Sequence, residues 1–358
     1  MSLPRTGKWL PHGLLVTGML LAPGCASTPQ TTRLSTNDSR FVQPVELTEV
    51  PFFPQEAYQC GPAALATVLT SAGASVTPEA LAPQVYLPQR KGSLQFELLA
   101  ATRRHGYVPY VLKPRLDHLL DEVAAGNPVL VLQNLGLSWY PKWHYAVVVG
   151  FDLSKRKIIL RSGRRARHTI SLKVFERTWK RGGLWAIVSM PPNRLPHTAD
   201  ETRYVRAIPG LERLRRWRDA ATAYTTALAR WPNNLVAQIG LGNSRYALGD
   251  LQGAETAYRQ ATRDHPNAGP AFNNLAQVLA DQGQLQEAEN AARQAVRLGG
   301  PLLERYEETL QQIMLRQRDT NDRVHNSRPD ADLREEKGPK TDVSVTYRLL
   351  ARPERSTS

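Results

Sequence analysis

The sequence predicts an α+β domain, in which a cysteine-bearing helix packs on a largely antiparallel sheet, followed by an all-α solenoid. Three observations predict it. Between residue 48 and about 192, helical stretches near 61–73, 92–105 and 115–125 precede the apolar runs PVLVLQ, YAVVVGF, KIILR and LWAIVSM. Those runs are short, β-branched and bounded by Gly, Pro or charge, as strands are. Helices first and strands later suit an antiparallel α+β arrangement rather than alternating βαβ units. From about 199 the texture changes to Ala, Leu, Arg and Gln with a period of 34 residues, seen in the pairs Pro232 and Pro266, Leu241 and Leu275, Gly249 and Gly283, Ala254 and Ala288, Ala261 and Ala295.

The first 24 residues read as a signal peptide. Arg5 and Lys8 precede an apolar stretch from Gly13 to Ala22, and small residues lead to Cys25, the charged, apolar and cleavage regions of a secretory leader. The apolar stretch is too short to span a bilayer stably. LAPGC resembles a bacterial lipobox, in which the cysteine is acylated and becomes the new N-terminus, so Cys25 is the expected lipidation site. ASTPQ follows it without an Asp, which points to the outer membrane and the periplasm. Plain secretion is the alternative. Residues 25–47, rich in Ser, Thr, Gln and Asn, read as a flexible tether.

The chain has only two cysteines in 358 residues. An acylated Cys25 cannot pair with Cys60, so an exported protein would carry one lone thiol, and nucleophilic chemistry is the reason we expect for it. In YQCGPAALATVL, Pro62 fits the first turn of a helix and places Cys60 at its N-terminus. Unpaired N–H groups and the positive dipole end there favour the thiolate. A small buried hydrophobe is the competing reading. Gln55, five residues earlier, has an amide able to donate to an oxyanion. His144 opens the apolar run of KWHYAVVVGFD and is the candidate base. His105, His118 and His168 lie apart with no second ligand at metal spacing, so no metal and no cofactor is assigned. Trp139, Tyr140 and Trp143 either line a substrate groove or cover the core. Gly92 and Ser93 border the expected cleft.

The 34-residue period is that of tetratricopeptide (TPR) helix pairs. One period back it meets Ala220, Tyr224 and Ala227, so a partial repeat precedes two full ones, and a helix near 301–316 closes a stack spanning 199–316. Small residues let paired helices approach closely and bury their faces against neighbours. Such arrays bind protein partners or support oligomers. Residues 317–358 are charged and aperiodic and read as a disordered tail. The formal net charge of +14, with clusters at Arg164, Arg165 and Arg167 and at Arg213, Arg215, Arg216 and Arg218, suits phospholipid, lipopolysaccharide or an acidic protein, or else reflects scattered solvated arginines. Nucleic acid is not expected of an exported protein.

Together, Q-x4-CGPAAL, GNPVLVLQ, WHYAVVVGFD and KIILRSG resemble the papain-like cysteine peptidases of the bacteriocin-processing, double-glycine type, especially their stand-alone exported forms, over residues 48–192. The resemblance implies that Cys60 is the nucleophile, His144 the general base and acid, and Gln55 the oxyanion donor. Relatives usually end the next strand in Asp or Asn to orient the imidazole. Here Ser162 aligns with that position, and Asp152, in the turn FDLSKRK, is the nearest carboxylate in sequence. The chain has no phosphate-binding G-x-x-x-x-G-K-[ST] sequence and no transmembrane bundle, so coupled export is not expected of it. The expected activity is hydrolysis of peptide bonds at the cell envelope, with the repeats recruiting substrate or partner. The alternatives are a catalytically degenerate scaffold lipoprotein and a Cys–His amidase acting on cell-wall peptides.

Overall fold

The computed structural model describes residues 27–34, 39–41, 43–55 and 59–326. The leader, Cys25 and the chain after Asn326 lie outside these residues. The first half runs α1 (Pro29–Arg33), β1 (Val45–Glu46), α2 (Cys60–Ser71), α3 (Pro78–Val85), β2 (Tyr86–Leu87), β3 (Gly92–Ser93), α4 (Gln95–Arg104), β4 (Val108–Val111), α5 (Leu116–Ala124), β5 (Val129–Asn134), β6 (Trp143–Asp152), β7 (Lys157–Ser162), β8 (Arg165–Ser171), α6 (Leu172–Arg181) and β9 (Ala186–Met190). The second half is helical: α7 (Glu201–Ala207), α8 (Pro209–Arg213), α9 (Trp217–Arg230), α10 (Leu235–Ala247), α11 (Leu251–Asp264), α12 (Gly269–Asp281), α13 (Leu285–Leu298) and α14 (Leu303–Asn326).

The main sheet is antiparallel throughout, in the order β4-β9-β5-β6-β7-β8, and β1 pairs with the far end of β6 at Val45↔Phe151. Alternation along the strands splits its side chains between two cores. Leu130, Leu132, Tyr145, Val147 and Val149 face α2, α3 and α4. Val129, Val131, Ala146 and Val148 face α5 and α6, where Phe175 and Trp179 stack 5.7 Å apart. Two elements carry no sequence signal of the expected kind. Strand β8 reads RARHTIS, is charged and largely exposed, and offers no apolar run. Helix α3 contains Pro83 in its interior, which breaks a helical reading.

The tether expectation is corrected in part. The buried Glu176 carboxylate of α6 accepts the N–H groups of Gln30 (3.0 Å) and Thr31 (2.7 Å) at the start of α1, where an anion satisfies unpaired donors. Gln30 in turn accepts from Leu116 N, the first N–H of α5, at 2.5 Å. Residues 28–34 are therefore docked on the body. The tail expectation shifts likewise, because α14 continues past 316 to Asn326.

The helical half joins the sheet without a free linker. Tyr204, Ile208, Leu211, Tyr224 and Leu241 belong to the same buried cluster as the α5 and α6 face of the sheet. The buried Glu122 carboxylate of α5 accepts Thr198 N (2.7 Å), Thr198 Oγ1 (2.6 Å), His197 N (3.2 Å) and Asn127 Nδ2 (2.7 Å), clasping the connection to its helix. Helices α9 to α13 stack as repeat units, with α7 and α8, split at Pro209, in place of the missing first helix. Close approach explains the small residues: a Cβ on Gly242 would overlap the ring of Tyr258.

Candidate active site

Helix α2 presents Cys60 at its first residue, half-buried, with Gly61 to Leu69 packed beneath it. A Cβ at Gly61 would overlap Ser93 Oγ, so this glycine lets β3 close against the helix start. The Cys60 sulfur meets N–H groups of the helix start, its own and that of Gly61, and the backbone of Tyr145 on β6. Tyr145 immediately follows His144, so helix start and strand start converge on the two chemical groups.

On the strand side, His144 Nε2 lies 2.8 Å from Ser162 Oγ at the end of β7. In the tautomer with hydrogen on Nε2, Ser162 accepts and the lone pair of Nδ1 is the ring's basic site. Asp152 is elsewhere: it closes the β6–β7 turn, accepting from Ser154 Oγ (2.6 Å) and Lys155 N (3.0 Å). A register shift between Leu160 and Ser162 in the β7–β8 pairing accompanies the serine's position. Gln55 is buried and threaded between the same strands. Its Nε2 donates to Tyr145 O (3.4 Å), its Oε1 accepts from Gly163 N (3.0 Å), and its own N–H donates to Gly163 O (3.0 Å). These three bonds fix the amide between Tyr145 and Gly163.

Electrostatics set the resting state. Burial, and secondly the cationic form of His168, lower the His144 pKa from its usual range to about 4. Burial pushes the Cys60 thiol up, against the pull of the backbone donors. The helix-terminus argument for a thiolate is therefore outweighed by desolvation. At pH 7 both the Cys60 thiol and the His144 imidazole are neutral.

Tyr145 and Ser93 complete the surroundings. The buried Tyr145 hydroxyl donates to Ser93 O (3.2 Å), and its ring packs edge-on against Trp185 at 5.9 Å. In the sequence Tyr145 was only part of the apolar run YAVVVGF and carried no signal of its own. Trp139, Tyr140 and Trp143 are 81%, 64% and 57% exposed, and Leu135 and Leu137 are also exposed, so the β5–β6 hairpin beside His144 does not cover the core. His105 contacts Gln84, and His168 contacts Arg165. Among the described residues, no three His, Cys, Asp or Glu side chains form a metal-sized group, and no helix is long and apolar enough to cross a membrane.

Residues 47–184 match the Peptidase_C39 like family, and residues 206–268 and 239–301 match the tetratricopeptide repeat family. The chain thus joins a C39-like domain to tetratricopeptide repeats. No curated protein matches it. Among solved structures, it is similar to a Bacillus anthracis protein described as a C39-like peptidase (19% identity, 41% of this chain and 98% of that one, TM-score 0.36). It is also similar to the type III secretion translocator chaperone SycD of Yersinia enterocolitica (20%, 33% and 85%, TM-score 0.31) and to the Sgt2 TPR domain of Aspergillus fumigatus (18%, 39% and 92%, TM-score 0.33).

Proposed function

We propose that this chain is a cysteine peptidase of the bacterial cell envelope. The observation that carries the reading is the convergence at β6, where the Cys60 sulfur meets the Tyr145 backbone while the adjoining His144 is held by Ser162 at 2.8 Å. With both groups neutral at rest, the thiol proton passes to His144 as sulfur attacks a peptide carbonyl. The carbonyl π electrons move to oxygen, which Gln55 Nε2 and the Cys60 N–H stabilise. His144 then gives the proton to the departing amine, leaving an acyl-enzyme that a water, deprotonated by His144, hydrolyses.

The exposed Trp139, Tyr140 and Trp143 would hold apolar residues of the substrate beside the scissile bond. The repeats would recruit the substrate protein or a partner, and acylated Cys25 would fix the chain to the outer membrane on its periplasmic side. Because α1 is docked on α5 and α6, such an anchor would hold the catalytic domain close to the bilayer.

A degenerate scaffold is the second reading, favoured by the uncharged partner of His144. Incubation of the purified chain with a peptide library made from envelope proteins separates the two. Cleavage lost in Cys60→Ala and in His144→Ala supports the peptidase. Absence of cleavage, or cleavage that persists in both variants, supports the scaffold.

A further inference from the structure

Helix α14 packs on the repeats through Tyr306, Thr309 and Ile313, all buried. Its other side forms a shallow groove lined by Glu307, Leu310, Gln311, Met314, Leu315 and Arg318. Leu315 is 51% exposed. This is the side on which a further helix of a repeat array would pack, and the last helix leaves Leu315 exposed there beside the half-buried Leu310 and Met314.

These six residues have an internal symmetry. Glu307 and Arg318, Leu310 and Leu315, and Gln311 and Met314 are three nested pairs about one midpoint between Gln312 and Ile313. If two such helices pack antiparallel about a two-fold axis at that midpoint, Glu307 of each faces Arg318 of the other, Leu310 faces Leu315, and Gln311 faces Met314. Among the described residues neither Glu307 nor Arg318 has an ion-pair partner within the chain, whereas the neighbouring Arg316 is held by Asp281 at 2.9 Å. A two-fold contact needs one surface that complements itself, and this one does so in charge at Glu307 and Arg318 and in apolar character at Leu310 and Leu315.

We propose that the α14 groove binds a second copy of this chain, forming an antiparallel two-fold dimer through Glu307–Arg318 pairs. A single helix pair buries less than a standard interface, so the dimer is a weak one, with dissociation in the range of roughly 10–100 μM. The inference does not depend on catalysis.

The test is sedimentation velocity of the full-length chain in density-matched detergent over a concentration series, with circular dichroism as a control for folding. Wild type should dimerise reversibly. Glu307→Arg and Arg318→Glu should each weaken dimerisation roughly tenfold or more by setting like charges opposite one another. An equimolar mixture of these two variants should regain wild-type association as heterodimers, because each then meets opposite charge at both ends. A wild type that stays monomeric to about 200 μM would overturn the proposal. So would a dimer indifferent to both reversals, or reversals that weaken it without rescue in the mixture.

Discussion

Ser162 sets the chemistry of His144 by what it lacks. A hydroxyl fixes the ring at 2.8 Å but adds no negative charge, and burial leaves the imidazole pKa at about 4. An opposite charge in contact typically shifts such a group by about one to three units. We therefore predict that Ser162→Asp raises the His144 pKa by roughly that amount, read from its ring resonances by NMR, and increases kcat with little change in KM. An unmoved titration would refute the assignment of Ser162 as the orienting partner. The same burial governs stability. The unfolded chain takes the proton near pH 6.5 and the folded chain only near 4, so stability falls as pH drops through that window, by at most about 3 kcal/mol from this group. Urea unfolding at pH 7 and pH 4.5 should show the loss shrink in His144→Gln. Cys60 and His144 were legible in the sequence because a proline fixes one at a helix start and a continuous apolar run fixes the other at a strand start. Ser162, which the family resemblance aligned with the orienting position, does lie at His144, but the irregularity at Leu160 to Ser162 that accompanies it leaves no local sequence signal.

Elements contribute through their ends. Helix α2 supplies backbone N–H groups to the sulfur, and the hairpin joining β5 to β6 supplies exposed aromatic surface just before His144. If that surface holds substrate, Trp139→Ala with Trp143→Ala should raise KM about fivefold or more for apolar peptides while leaving alkylation of Cys60 unchanged. An unchanged KM would remove the hairpin from the binding account. Helices and strands with one apolar face were legible from their periods. Strand β8 escaped because its exposed side chains are charged, and α1 escaped because its partner, Glu176, lies far along the chain. A contact of that kind leaves no local pattern.

At the scale of the whole molecule, the C39-like half and the repeats share one buried core through Tyr204, Leu211 and Tyr224. Glu122 ties the connection with three accepted hydrogen bonds and takes a fourth from Asn127. Glu122→Ala leaves the buried Asn127 amide and the half-buried Thr198 donors without their acceptor, at a cost of about 1–3 kcal/mol. The expected result is a fall of several degrees in Tm, seen together by tryptophan fluorescence and far-UV circular dichroism. Separate transitions in the wild type would contradict a shared core. The 34-residue period announced the repeats, but their fusion to the sheet rests on tertiary packing that no period encodes. Peptidase activity requires that Cys60 and His144 act together. The decisive measurement is the single-turnover rate of acylation by p-nitrophenyl acetate, with the adduct located by mass spectrometry, in wild type and His144→Ala. The account predicts an acyl group on Cys60 and a rate at least about 100-fold lower without the imidazole. Equal rates in the two proteins, or no adduct on Cys60, would contradict it.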